Sequence, residues 1–441
     1  MTLRLFTLAA AAGLVGLAGC DSAPAGPDAP PAEAPAAAKL RHWDLQAPDG
    51  TALARAAGGD VDFIVTFQGI RVRSYVRDEF CGQGIRVRSY VRDSFDGLAG
   101  TVSADSLDQL LDCLAADPDV KYVEPDLPIP TPDEGVRFVP LSKDWEGEPG
   151  EEYEVEAPKD QLLPWNIEII KGKDSSAKSG DKKGDAVNVD VFVIDTAIDH
   201  PEVNVVERRS FLPAGRAAAT TTHGNHVALT IAAFDDKVGL VGVAPGARIH
   251  SLEVFDAAGA SPMSRLIEAV DHVAAWKKAN PTKPAVVNMS VGAYIGSTGY
   301  NALDDAVEAL IQLGVPVVVS AGNHAVNASL VSPAHVASAI TVGSYDGDEK
   351  FSARFSNYGS VLDLLAPGDY VVSGASEGRY AMMSGTSMAA PHVTGAVALY
   401  LARNPSASAE RVAAEVVKVG KDEVKDVARG TTRRSVWLDK L

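Results

Sequence analysis

Apolar positions change their spacing along the chain, and each spacing predicts a different element. Apolar-rich runs at Val187–Ile194, Ala285–Met289 and Val315–Val319 have the length of strands buried on both faces. Between them, residues 224–233, 262–278 and 301–313 have helical character and helical length. Strands alternating with helices in this way predict an α/β domain, a parallel sheet covered by helices on both faces. Upstream lies the pattern of a smaller α+β unit. Val61–Phe67 (VDFIVTF) and Val120–Val123 read as strands, and Leu107, Leu110, Leu111 and Leu114 give Asp105–Ala116 its helical spacing.

The remaining segments divide the chain. Residues 1–20 place Arg4 before an apolar run, Leu5 to Leu17, that is too short to span a bilayer comfortably, and this predicts a signal peptide. Residues 21–45, rich in Ala and Pro, read as an extended tether, and 46–130 as the small folded unit. Residues 131–160 carry ten acidic side chains against Arg137, Lys143 and Lys159 and predict a solvated linker. Residues 161–441 form the larger domain. Inside the small unit Gly69–Phe80 (GIRVRSYVRDEF) recurs at Gly84–Phe95 (GIRVRSYVRDSF). Two copies are too few for a repeat architecture, so the duplication reads as an insertion on a surface loop or hairpin.

Composition narrows the function. The chain has 441 residues, 46% apolar and 22% charged, as in a soluble globular protein of two folded units. A net charge of -18 repels phosphate, which argues against a nucleic-acid partner. Cys81 and Cys113 could pair after export or stay free. No cysteine lies beyond Cys113, which excludes cysteine-based catalysis in the larger domain.

Three segments carry candidate chemistry. The strand ending at Asp195, in VIDTAIDH, puts a carboxylate at the C-terminal edge of a parallel sheet, where open α/β sheets place reactive groups. His223 follows three threonines and opens a helix; a histidine whose tautomer is fixed by a carboxylate is a base for a serine nucleophile. His226, three residues on, raises the rival reading of a two-histidine metal site, but no third ligand accompanies the pair. Ser387 sits in SGTSMAAPH at the start of a helix of small residues, near backbone N–H groups that can receive an oxyanion. Pro391 is expected within the first helical turn, the position that tolerates it.

Together these segments resemble the subtilase family, in its order Asp, His, Ser. The resemblance implies a subtilisin-like α/β fold and a serine endopeptidase in which Asp195, His223 and Ser387 act as the triad. By the same resemblance Asn323, in VVVSAGN, would bind the oxyanion. Ser290, Val291 and Gly292, with Ala321 and Gly322, would bind an extended substrate. Phe63–Phe67 and Asp117–Asp126 resemble the family's propeptide, which implies that the small unit inhibits the peptidase until it is cut away. No cofactor is implied for the chemistry. By similarity to the proteinase K branch, Asp363 with the carbonyls of Ala337 and Ala339 could form a structural calcium site. Leu17–Cys20 resembles a lipobox, implying export and membrane attachment through a lipidated Cys20; its rival is ordinary cleavage beside an incidental cysteine. Ala197, Asn225 and Leu229 depart from the family's usual Gly, Thr and Gly. Alanine costs roughly 1 kcal/mol if position 197 needs φ > 0, and Leu229 must find room.

Overall fold

The structure is a computed structural model, and it describes residues 39–41, 43, 59–68, 85–94, 96–131, 160–183, 186–296 and 299–441. The leader and Cys20, most of the tether, the first copy of the duplication with Cys81, and the acidic linker between Thr131 and Asp160 lie outside them.

The small unit contains β1 (Asp60–Phe67), β2 (Arg86–Val91), β3 (Gly97–Ser103), α1 (Leu107–Ala116) and β4 (Val120–Pro125), in the sheet order β2-β3-β1-β4. The two-residue period of β1 explains its packing. Val61, Phe63, Val65 and Phe67 join the four leucines of α1 in one core, whereas Ile64 on the opposite face joins a second core shared with the larger domain. The second copy of the duplication supplies β2, the edge strand that pairs antiparallel with β3. Part of the predicted tether is also placed. Leu40 bridges Val123, the Arg41 guanidinium lies 3.9 Å from the Tyr122 ring centroid, and Trp43 Nε1 donates to the Val123 carbonyl at 3.2 Å. After β4 the chain forms β5 (Pro128–Pro130).

The larger domain follows in order: α2 (Trp165–Ile169), β6 (Asp190–Asp195), β7 (Val205–Ser210), α3 (Thr222–Ala232), β8 (Arg248–Glu253), β9 (Ala260–Pro262), α4 (Met263–Ala279), β10 (Ala285–Met289) and β11 (Ala293–Tyr294). Then come α5 (Ala302–Gln312), β12 (Val317–Ser320), β13 (Val331–Ser332), β14 (Ile340–Tyr345), β15 (Leu364–Pro367), β16 (Val371–Gly374), β17 (Tyr380–Met383), α6 (Thr386–Arg403), α7 (Ala409–Val419), β18 (Lys421–Asp422) and β19 (Arg434–Ser435). Nine strands make the central sheet, in the order β18-β19-β15-β14-β12-β10-β6-β8-β7. Every pair is parallel except β18 with β19. Strand β6, the first in sequence, sits in the interior, with β8 and β7 to one side and β10, β12, β14 and β15 to the other. The order therefore reverses at β6, and the crevice at the C-terminal ends of β6 and β10 is the position where such sheets bind ligands. Side chains of α3, α6 and α7 fill the core on one face, those of α4 and α5 the other.

The small unit docks on α4 and α5. Ile64, Ala99 and Tyr122 share a buried cluster with Leu266, Ile267, Val270, Leu303 and Ala306. Two carboxylates of the small unit cover the exposed helix N-termini. Glu124 accepts from the Ala302 N–H at 2.8 Å, and Asp126 accepts from the Ser264 N–H at 2.8 Å and the Ser264 hydroxyl at 2.6 Å. Each satisfies donors that a helix start leaves without an intrahelical acceptor.

Candidate active site

Asp195 is the last residue of β6 and is fully buried. Its Oδ1 lies 2.7 Å from His223 Nδ1 and also accepts from the Thr196 N–H at 2.7 Å. His223 stands in the first turn of α3, every residue of which is buried. The helix reaches the strand end because of Gly224, where a Cβ would come 2.4 Å from the Thr196 carbonyl oxygen. The carboxylate holds the imidazole in one tautomer and orientation, with Nε2 as the remaining base. His226 turns elsewhere, to the Val371 carbonyl at 3.0 Å, and burial depresses its pKa to about 3. It is a neutral core histidine. Among the described residues no group of three or more His, Cys, Asp or Glu side chains gathers where it could hold a metal ion.

Ser387 is the second residue of α6. Its hydroxyl donates to the Ser290 carbonyl at 3.1 Å, and the Ser290 hydroxyl donates back to the Ser387 carbonyl at 2.9 Å. The second bond has a cause in sequence. Pro391 is not in the first turn, as expected, but five residues beyond the first residue of α6. It has no N–H for the carbonyl four residues earlier, which belongs to Ser387. Ser290 supplies the missing donor. It is held by Asn288 Nδ2 at 2.9 Å, and Asn288 in turn by the Thr394 hydroxyl at 2.8 Å. Because Ser290 follows β10, and β10 pairs with β6, Ser387 and Asp195 belong to the same end of neighbouring strands.

Asn323 follows β12. Its Oδ1 accepts from the Thr386 N–H at 2.9 Å and the Thr386 hydroxyl at 2.8 Å, which orients the carboxamide and leaves Nδ2 for the cleft. Gly322 is at φ +94°, and a Cβ there would meet Asn357 Nδ2 at 2.4 Å. Asn357 fastens this loop by donating to the Ala321 carbonyl and accepting from the N–H groups of His324 and Val326. Ser290, Val291, Gly292, Gly322, Asn323 and Ser387 all line one cavity of 320 Å³. Ala321 is buried and has no place in that lining.

The same cavity is lined by Pro130 and Thr131, at the end of the small unit. Strand β5 pairs antiparallel with β9, and the Thr131 N–H and hydroxyl both donate to the Gly259 carbonyl, at 2.8 and 2.9 Å. Ile129, between the two prolines, is fully buried. An extended segment of the chain thus lies along the groove and ends beside the serine.

The three departures from the family pattern each find a physical answer. Ala197 is not among the residues with positive φ, so its Cβ carries no left-handed strain. Asn225 accepts from the N–H groups of Asp199 and His200 and donates to Asp199 and the Ala375 carbonyl, fastening α3 to the loop after β6. Leu229 finds room at Gly374, where a Cβ would lie 2.6 Å from Leu229 Cδ2. Of the other expected sites, Asp363 accepts from the Thr341 N–H at 2.8 Å and burial pushes its pKa up to about 6. Cys113 is disulfide-bonded. Sequence reasoning missed the roles of Asn288, Asn357 and Thr386. Only the polar character of these positions beside apolar strands signalled them.

A parallel sheet with an Asp–His pair at one strand end and a helix-borne serine at the next is the subtilisin-like α/β fold. The Subtilase family pattern matches residues 184–431, more than half of the chain, and the chain belongs to that family. Subtilisin NAT of Bacillus subtilis subsp. natto is 37% identical over 255 residues, 56% of this chain and 63% of that protein. The match thus spans a little under two thirds of that relative. The Extracellular serine proteinase of Thermus sp. (strain Rt41A) is 41% identical over 236 residues, 52% of this chain and 54% of its own. The crystal structure of a cold adapted subtilisin-like serine proteinase is matched with a TM-score of 0.54 and 34% identity, covering 62% of this chain and 97% of that one.

Proposed function

We propose that this chain is a serine endopeptidase made as a precursor and held inactive by its own small unit until it is cut. The observation that carries the reading is the meeting of two features in one place. A buried Asp195–His223 pair at 2.7 Å stands at the end of β6, next to β10, after which Ser290 bonds Ser387, and β5 of the small unit runs to the cavity that Ser387 lines.

In the proposed mechanism the Ser387 hydroxyl leaves the Ser290 carbonyl and gives its proton to His223 as Oγ attacks a peptide carbonyl carbon. Asp195 fixes the imidazole and stabilises the imidazolium that forms. The oxyanion is received by Asn323 Nδ2 and the Ser387 N–H. His223 then protonates the departing amine, and water cleaves the acyl-enzyme by the reverse sequence. The substrate backbone would pair with β9 as β5 does, which supports binding of extended protein chains rather than a particular side chain.

Export is supported by the apolar run before Cys20 and by a relative named as extracellular. Membrane attachment through a lipid on Cys20 rests on Leu17–Cys20 alone. The test compares the purified full-length chain with its Ser387→Ala variant on gels and against casein. The unmodified chain falls to a fragment that begins between Thr131 and Pro164 and digests casein, while the variant does neither. Equal processing of both would overturn self-maturation, and casein digestion by Ser387→Ala would overturn the nucleophile. Membrane fractions from cells making Cys20→Ser test the anchor, which predicts that the precursor is lost from them.

A further inference from the structure

β5 enters the groove with a defined direction: its last residue, Pro130, and Thr131 after it line the cavity that Ser387 also lines. A substrate lying in that path puts the residues before its scissile bond against β9 and Ser290–Gly292, which leaves the rest of the cavity lining to the residues after it. That remainder includes Arg354, Phe355, Tyr370, Met382 and Ser384.

Arg354 is fixed there. Its Nε donates to Asp369 Oδ2 at 3.3 Å and its Nη2 to Oδ1, while Asp369 Oδ1 also accepts the Ser384 hydroxyl at 2.7 Å. Ser384 Oγ accepts the Tyr370 N–H at 2.9 Å, so the cation is tied to a turn three residues before Ser387. Its guanidinium carbon lies 4.8 Å from the Phe355 ring centroid and 5.5 Å from that of Tyr370. The Arg354 side chain is 56% exposed, whereas Asp369, at 7%, is buried beneath it. Among the described residues Nη1 makes no hydrogen bond, and it is left to the cleft. Tyr370 holds φ at 56°, is itself 47% exposed, and has its carbonyl bound by Trp165 Nε1 at 3.1 Å. A strained aromatic kept at a cleft wall has the placement of a recognition residue rather than a core one.

We propose that Arg354 is a specificity-determining residue that favours substrates with an acidic side chain at the first or second position after the scissile bond. The inference rests on the endopeptidase reading and deepens it. A guanidinium pre-set by one carboxylate edge-on and by two rings face-on offers a second carboxylate paired donors at little ordering cost. The sequence supplies complementary charge in cis. Thr131, the last residue described in the groove, is followed by Pro132, Asp133 and Glu134.

Quenched-fluorescence peptides differing only in those two positions, as Glu, Ala or Lys, test it on the matured enzyme. Wild type should rank them Glu, Ala, Lys in kcat/KM, with a Glu-to-Lys ratio of about tenfold that shrinks as salt rises. Arg354→Gln should bring the ratio near one while turnover of the Ala peptide persists, which also shows that the variant is folded, and Arg354→Glu should invert it. An unchanged ratio in Arg354→Gln, or a wild type that cleaves all three alike, overturns the selector and leaves the peptidase standing. A wild type that cleaves neither these peptides nor casein overturns both.

Discussion

Ser290 shows how one side chain can be required by another far along the chain. Pro391 removes the N–H that would bond the Ser387 carbonyl, and the Ser290 hydroxyl replaces it at 2.9 Å. Ser290→Ala therefore leaves a buried carbonyl without a donor, a loss of about 1–3 kcal/mol. The expected outcome is a lower thermal midpoint together with a fall in kcat, because the turn that aims Ser387 loses its brace. A variant with unchanged melting and turnover would show that water fills the place. Leu229 and Gly374 make a similar pair: the bulk missing at one position is the bulk added at the other. Neither compensation is visible in the sequence, because the partners are 97 residues apart in Ser290–Ser387 and sit on unrelated elements in Leu229–Gly374.

At the scale of elements, α4 and α5 are capped by the small unit. Glu124 is buried, and desolvation with the nearby Asp304 and Asp305 carboxylates pushes its pKa up to about 8, against the opposing pull of the Ala302 N–H and Arg41. Its Oε1 takes the Ala302 N–H while Oε2 has no hydrogen-bond partner among the described residues, an arrangement suited to a protonated carboxyl. Desolvation also raises Asp126, against Arg88 and the Ser264 donors. An undocked Glu124 ionises near 4.5 and the docked one near 8, so docking takes up a proton between those values. The docked state is favoured at the acid end, loses ground as pH rises through this window, and changes no further above it. The rate at which casein-cleaving activity appears from the precursor should climb from pH 5 to pH 8, and Glu124→Gln should flatten that climb. A climb unchanged in Glu124→Gln would place the titration elsewhere. The placement of the helices and strands was largely legible, since the periodicity of α4, α5, β6, β10 and β12 put them within a few residues of where they lie. The role of the duplication was not: its second copy became β2, which pairs antiparallel with β3 and in which the alternate residues Val87, Ser89 and Val91 are the less exposed ones.

For the molecule as a whole, the small unit and the larger domain share a core. Ile64, Ala99, Tyr122 and Ile129 pack with α4 and α5 side chains, and removal of the small unit would leave an apolar face, with the Ser264 and Ala302 N–H groups stripped of their carboxylate acceptors. Residues 160–441 expressed alone should refold with lower yield and more slowly than the full chain, and adding the 39–131 segment in trans should restore much of the loss. Equal refolding with and without it, read by recovered casein hydrolysis, would refute that dependence. The sequence by itself determined the α/β class, the small α+β unit, and the identities of Asp195, His223, Ser387 and Asn323 as candidates, because these are written in local periodicity and short motifs. Only the tertiary structure decided that β5 pairs with β9 beside the cavity, that Glu124 and Asp126 accept from helix N-termini of the other unit, and that Arg354 lines the same cavity as Ser387. Those facts depend on which surfaces meet, and meeting is set by long-range packing and desolvation that no window of neighbouring residues contains.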